Sequence, residues 1–238
     1  MFLEREFKMI FPSALIGLLA VATIAPGPNQ TQVPVVNIAP VAVPPAGAKV
    51  LYGGRSADVS ANWYKRRTTS APGWTIGSEG QLVPSDKSDI TTREEFGDCY
   101  LHVEFKTPLT GHGNAGVALQ GRYEVQIHNM DGEKLNETNL GAFYSQKPAR
   151  INASKKNGEW QTFDIIFRAP RFDVAGKEID KPRATIMVNG IVVHNNESFN
   201  DMTGIQYDLF KTAAPKGPVV LQGDHDAVQY RNVWIVNL

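Results

Sequence analysis

An all-β fold, a two-sheet antiparallel β-sandwich of jelly-roll type, is what the sequence predicts, and three observations carry that reading. Short runs of β-branched and aromatic residues alternate with a period of two. Gly, Asn, Asp and Pro punctuate them, and no stretch of helical length sustains a three-to-four residue apolar period. Many short strands at such spacing, in a chain long enough for one sizeable core, define this architecture.

The elements follow in order along the 238 residues. Residues Ile10 to Ala22 (IFPSALIGLLAVA) form an apolar run behind a start containing Arg5 and Lys8. The run ends in Ala20-Val21-Ala22, the small-x-small pattern after which signal peptidases cut. It is shorter than the ~20 apolar residues that a bilayer crossing takes. The expectation is a signal peptide over 1–22 and an exported domain, whether periplasmic, envelope-bound or extracellular; a retained anchor would also place the domain outside the cytoplasm. Residues 23–48 are rich in Pro, Ala and Val and read as an extended linker without a core of its own. The folded domain is expected over 49–238.

Within it, the run from Tyr100 to Lys106 alternates and stops at Pro108. Gly116 to Gln120, Tyr123 to His128 and Phe163 to Phe167 read as further strands. Ala184 to Val188 and Ile191 to His194 flank Asn189-Gly190, the favoured two-residue hairpin turn. Val219 to Gln222 and Val228 to Val236 close the chain. Around Thr92 to Phe96 the pattern suggests a turn or short helix.

Composition excludes several classes. Lys and Arg number 24 and Asp and Glu 24, so the net charge is zero and no basic stripe supports nucleic-acid binding. Cys99 is the only cysteine, which excludes an intrachain disulfide and reads as a small packing residue. No Gly-x-Ser-x-Gly, P-loop or HExxH motif is present, so serine-hydrolase, nucleotide and compact zinc-motif readings have no support.

Alternation sets out the chemistry. On the Tyr123 to His128 run, Tyr123, Val125 and Ile127 face one way, and Arg122, Glu124, Gln126 and His128 the other. That polar row can bind sugar hydroxyls, supply a base or hold a metal; a solvated sheet face is the plain alternative. Glu104 shares a face with His102 and Lys106. Asn114 lies in Gly113-Asn114-Ala115-Gly116, a sequence suited to a tight turn or close ligand approach. His225 stands between Asp224 and Asp226, as a metal ligand or an acid/base oriented by a carboxylate would. Tyr144 is the aromatic best placed to join a site. Trp63, Trp74, Trp160 and Trp234 read mostly as core.

An ordered series of blocks extends over about residues 50 to 238. It runs through Val50-Leu51-Tyr52-Gly53-Gly54, Trp74-Thr75-Ile76, Tyr100 to Phe105, Gly113 to Val117 and Gly121 to Ile127. Gly141-Ala142-Phe143-Tyr144, Gly158-Glu159-Trp160, Val188-Asn189-Gly190 and Leu221-Gln222 through Arg231-Asn232-Val233 complete it. In this series the chain resembles the exported bacterial domains named for 3-keto-disaccharide hydrolases. The resemblance implies a concanavalin A-like lectin/glucanase fold and cleavage of 3-keto-glycosides. It casts Glu124 or His225 as the base and Arg122, Gln126 and Arg231 as substrate or oxyanion contacts, with Glu104 and Asn114 in support. A divalent metal ion is left open as cofactor, and hydrolysis and elimination both remain open. Where the family often has Asp the chain has Asn129, with Asp131 as a potential substitute, and Ala115 stands where the family often has Ser. These departures keep a second expectation on the page: a non-catalytic, lectin-like glycan-binding module. A structural envelope domain is the third.

Overall fold

A computed structural model describes residues 43–203 and 210–238. The expected signal peptide and most of the linker lie outside the described residues. Strands and helix are numbered in chain order. One sheet runs β13 (Ile191–Ser198), β12 (Arg183–Val188), β9 (Trp160–Arg168), β6 (Cys99–Lys106), β15 (Gln229–Asn237), β4 (Leu82–Val83) and β3 (Thr75–Ile76), with β1 (Lys49–Tyr52) also paired to β15. The other runs β2 (Trp63–Lys65), β5 (Ile90–Phe96), β14 (Gly217–Leu221), β7 (Ala115–Leu119) and β8 (Tyr123–Ile127). A two-stranded ribbon, β10 (Arg171–Phe172) and β11 (Glu178–Asp180), stands apart, and α1 (Ser56–Asn62) is a short helix. Every strand pairing among the described residues is antiparallel.

The two-residue period decides what meets between the sheets. Leu101, Val103 and Phe105 of β6 and Phe163, Ile165 and Phe167 of β9 share one buried cluster with Val117 and Leu119 of β7 and Tyr123, Val125 and Ile127 of β8. Burial of such side chains contributes roughly 1.5–3 kcal/mol each, which is the dominant stabilising term in a chain without disulfides. Cys99 is buried in the same core, and its thiol is pushed up to about 12 by that burial, which leaves it chemically inert. Asn189 and Gly190 both take positive φ, 52° and 78°, as the two-residue hairpin between β12 and β13 requires.

One local expectation is corrected. Thr92 to Phe96 is neither turn nor helix but the second half of β5, paired on both sides with β2 and β14. The Thr92 hydroxyl accepts from Val219 N (2.9 Å) and donates to Glu94 O (2.7 Å), so tertiary pairing overrides the charged local sequence. The helix that does form, α1, is too short to show an apolar period. No helix among the described residues is long and apolar enough to cross a membrane.

Candidate functional site

Glu124 and Gln126 point to the face of β8 opposite its core residues Tyr123, Val125 and Ile127, and so to the outward face of the five-stranded sheet. Next to β8 in register, Gly116 of β7 stands opposite Gln126. With no side chain there, the Glu124 carboxyl drops into the space where a Cβ would lie. In the orientation that turns its NH2 to the carboxyl, Gln126 donates to Glu124 Oε1 (3.1 Å) and to Ala115 O (3.0 Å). Its other amide atom is 3.0 Å from the Asn114 side chain.

Above this floor lies a cleft of about 460 Å³ lined by His112, Asn114, Gln126, His128, Thr138, Tyr144, His225 and Asp226. The segment between β14 and β15 forms one lip and is tied down by backbone bonds. Gln222 N donates to Gly116 O (3.0 Å), and Asp226 N to Asn114 O (3.1 Å); the Asp226 carboxylate in turn accepts from Asn114 N (2.8 Å). Tyr144 arrives on the other side because its N–H donates to Glu124 O (3.2 Å) along the free edge of β8.

A group of acids surrounds the floor. Glu124 is 2% exposed, and burial, followed by the charges of Asp89 and Asp224, pushes its carboxyl up to about 8. It therefore carries a proton at neutral pH. Asp89, also buried, is raised by desolvation and by Asp224 against the opposing pull of the Gly223 N–H and Arg66. Its carboxylate accepts from Gly223 N (3.1 Å) and pairs with the buried Arg66 guanidinium (2.9 Å), anchoring the lip to the sheet. At the lip the His225 ring Nδ1 faces the Asp224 carboxylate in a short contact, and both side chains are about half exposed.

Of the residues expected from sequence, Asn114, Gln126, Tyr144 and His225 meet at this cleft, with Glu124 one layer beneath. The grouping of Glu104, Arg231 and Arg122 with them is corrected. Glu104 and Arg231 pair at 2.6 Å across β6 and β15, on the outward face of the other sheet, because Val103, Phe105 and Tyr230 beside them take the core side. There His102, Asp164 and Asn232 complete a polar network, and Trp160 stacks on the Arg231 guanidinium at 4.0 Å. Arg122 is buried and donates to the carbonyls of Thr212 (2.7 Å) and Gln120 (2.7 Å) under the Phe210 ring; it fastens the 210–217 segment. The Ala115 departure falls in the core. Asn129 is buried, and its amide donates to Gly111 O (2.8 Å) and Pro108 O (3.1 Å), bonds that a carboxylate could not make. Asp131 is exposed and bonds Asn157 outside the cleft.

Sequence reasoning missed Asp89, Arg66 and His112. Asp89 and Arg66 stand 23 positions apart and carry no local signal. His112 reaches the cleft because Asn129 N donates to its carbonyl (2.7 Å), setting it beside His128 with ring centroids 5.5 Å apart. His112, His128 and Glu133 are the described side chains grouped closely enough to hold a metal ion.

A β-sandwich with a polar cleft over one sheet, floored by amides and flanked by acids and histidines, is a carbohydrate-active domain of glycosyl-hydrolase type, and the comparisons place it in that class. The chain belongs to the 3-keto-alpha-glucoside-1,2-lyase-like domain family, which it matches over residues 47–236. It is similar to the crystal structure of a candidate glycosyl hydrolase from Parabacteroides distasonis, with 32% identity, a TM-score of 0.70 and coverage of 82% of this chain and 85% of that one. A second such protein from the same organism shares the fold at 22% identity and a TM-score of 0.57, over 80% of this chain and 99% of the other. No curated protein matches the chain.

Proposed function

We propose that the domain cleaves glycosides oxidised to a ketone at C3, by removal of the C2 proton and expulsion of the C1 substituent. The observation that carries this reading is the His225–Asp224 pair at the lip of a cleft whose floor is the amide pair Asn114–Gln126. A ketone at C3 acidifies C2–H, so the reaction needs one base, donors for the developing enolate oxygen and a proton for the leaving oxygen. The exposed imidazole, oriented by Asp224, is the base. It takes the C2 proton, and the electron pair moves to the C3 oxygen, where the Asn114 amide, held from below by Gln126, donates. As the ketone re-forms, the C1–O bond breaks, a C1–C2 double bond forms, and the Tyr144 hydroxyl protonates the departing oxygen. Addition of water across that double bond would complete a net hydrolysis.

Of the two candidates for the base, Glu124 and His225, this assignment takes His225. A carboxyl protonated near neutral pH and 2% exposed is poorly suited to accept a proton from a ligand. Glu124 instead fixes the orientation of Gln126 from below. The substrate is a carbohydrate, and export is part of the proposal, supported by the Ile10 to Ala22 run and tested by sequencing the amino terminus of the mature protein.

The test is incubation of the purified protein with a disaccharide and its 3-keto counterpart. Release of the C1 substituent from the 3-keto sugar alone is expected. Saturable binding without any product would sink the enzyme reading and leave a glycan-binding module.

A further inference from the structure

We propose that His112, His128 and Glu133 form a divalent transition-metal site, of the zinc class, at the edge of the cleft. The proposal stands independently of the reaction assigned above. One ligand atom from each of the three residues lies within 4.8 Å of the other two. A tetrahedral ion at about 2.0–2.2 Å from nitrogen and oxygen brings its ligands to about 3.4 Å of one another, a closure that side-chain torsions supply. Two imidazoles and one carboxylate suit zinc and its neighbours rather than calcium or magnesium, which take oxygen ligands.

What separates this group from a chance cluster is that hydrogen bonds hold the Glu133 carboxylate and the backbone that presents His112. The His128 Nδ1 lies 2.6 Å from Asn129 O and 3.9 Å from Glu133 Oε2, so the nitrogen on the Glu133 side exchanges that carbonyl for the ion when it ligates. The Glu133 carboxylate accepts from Asn139 Nδ2 (2.8 Å), and Asn139 is itself buried and fixed by Asn136 N at its other end (2.9 Å). Glu133 is presented by a turn closed from Glu133 N to Met130 O (3.0 Å). His112 is clamped through its own carbonyl by Asn129 N and through Gly111 by the Asn129 side chain, and Gly113 at φ 61° turns the chain there. Asn129 thus serves both histidines at once. The amide in place of the acid common in the family has a use here, because only an amide can donate to those carbonyls.

The placement gives the ion something to do. His112 and His128 line the same cleft as Asn114, Gln126 and Tyr144. Three protein ligands leave a fourth position for an oxygen ligand, the arrangement of zinc sites that bind substrate rather than merely hold the fold. Vicinal sugar oxygens, or a ketone oxygen beside a hydroxyl, are the chemistry such a position takes.

The experiment uses the full chain with any affinity tag removed, stripped by chelator and dialysed against micromolar zinc. One bound zinc per chain is expected, and cobalt in its place should give the visible absorption of a four-coordinate site. His112→Asn and Glu133→Gln, both at exposed positions, should abolish stoichiometric binding without moving the thermal transition. Asn139→Ala should weaken binding about 10–100-fold, the usual cost of losing a hydrogen bond behind a ligand. His225→Asn should retain full binding. Trace zinc in the wild-type protein, undiminished zinc in His112→Asn, or equal loss in His225→Asn would each overturn the site.

Discussion

The carboxyl of Glu124 occupies the space above Gly116 that any larger residue would claim for its Cβ, and this pair of neighbours on β8 and β7 sets the floor of the cleft. Gly116→Ala therefore forces the acid out of a buried, hydrogen-bonded position. The expected cost is about 1–3 kcal/mol, the range for overpacking a close-packed interior. Urea unfolding measures it, and an unchanged midpoint would show that Glu124 is not confined there.

Glu124 also makes stability depend on pH in the direction opposite to most acids. Its folded value of about 8 lies above the ordinary carboxylate range, so between those values the folded chain holds a proton that the unfolded chain has released. Stability is then fully present below the ordinary carboxylate value and falls by at most about 1.4 kcal/mol per pH unit on the way to the folded value. Glu124→Gln removes this contribution while keeping the acceptor for Gln126. Unfolding midpoints of the two proteins should converge near pH 5 and separate toward pH 8 in favour of the glutamine variant; parallel curves would contradict it.

Burial drives His194 the other way, down to about 4, with Lys147 and Arg150 adding to the effect, although its Nε2–H donates to Gly141 O at 3.0 Å. Its folded value lies below the unfolded one, so the unfolded chain gains a proton first as pH falls. Stability should decline as pH drops through about 6.5 toward 4. His194→Gln, which can still donate to Gly141, should remove that part of the acid sensitivity in thermal melts. An unaltered acid limb would exclude His194 as its source.

The Glu104–Arg231 pair provides a control on the location of the site. Burial alone would raise Glu104, but hydrogen bonds from His102, Asn232 and Arg231 outweigh it and hold the carboxyl at about 2. Glu104→Gln should lower stability at neutral pH, and that loss should shrink as pH falls through the ordinary carboxylate range toward 2. Turnover should stay within about twofold of wild type because the pair lies on the other outward face, whereas removing a general base costs roughly 10²–10⁴. A Glu104→Gln enzyme that folds normally yet loses activity would move the site to that face.

Much of this was legible in the residues. The Tyr123 to Ile127 alternation gives both the core face and the outward Glu124 and Gln126, and Asn189-Gly190 gives its hairpin, because both are local rules of strand and turn geometry. Alternation says which face a residue takes within its own sheet, but not which sheet the strand joins. Glu104 and Arg231 follow the same polar-face pattern as Glu124, yet β6 and β15 lie in the other sheet. Arg122 followed the polar side of its strand, yet the carbonyls of Thr212 and Gln120 claim its donors, and long-range partners of that kind leave no trace in the sequence. The charge of Asp89 near Glu124 is equally invisible, since β5 and β8 are separated by two other strands.

The most direct test of the account is turnover of a 3-keto-disaccharide by wild-type protein and by His225→Ala, with the substrate carrying deuterium at C2. The account predicts that wild type releases the C1 substituent, that deuterium slows the reaction and is lost from C2, and that His225→Ala retains its fold while losing about 10²–10⁴ in rate. Cleavage that leaves the C2 deuterium in place, or an undiminished rate in His225→Ala, would contradict it.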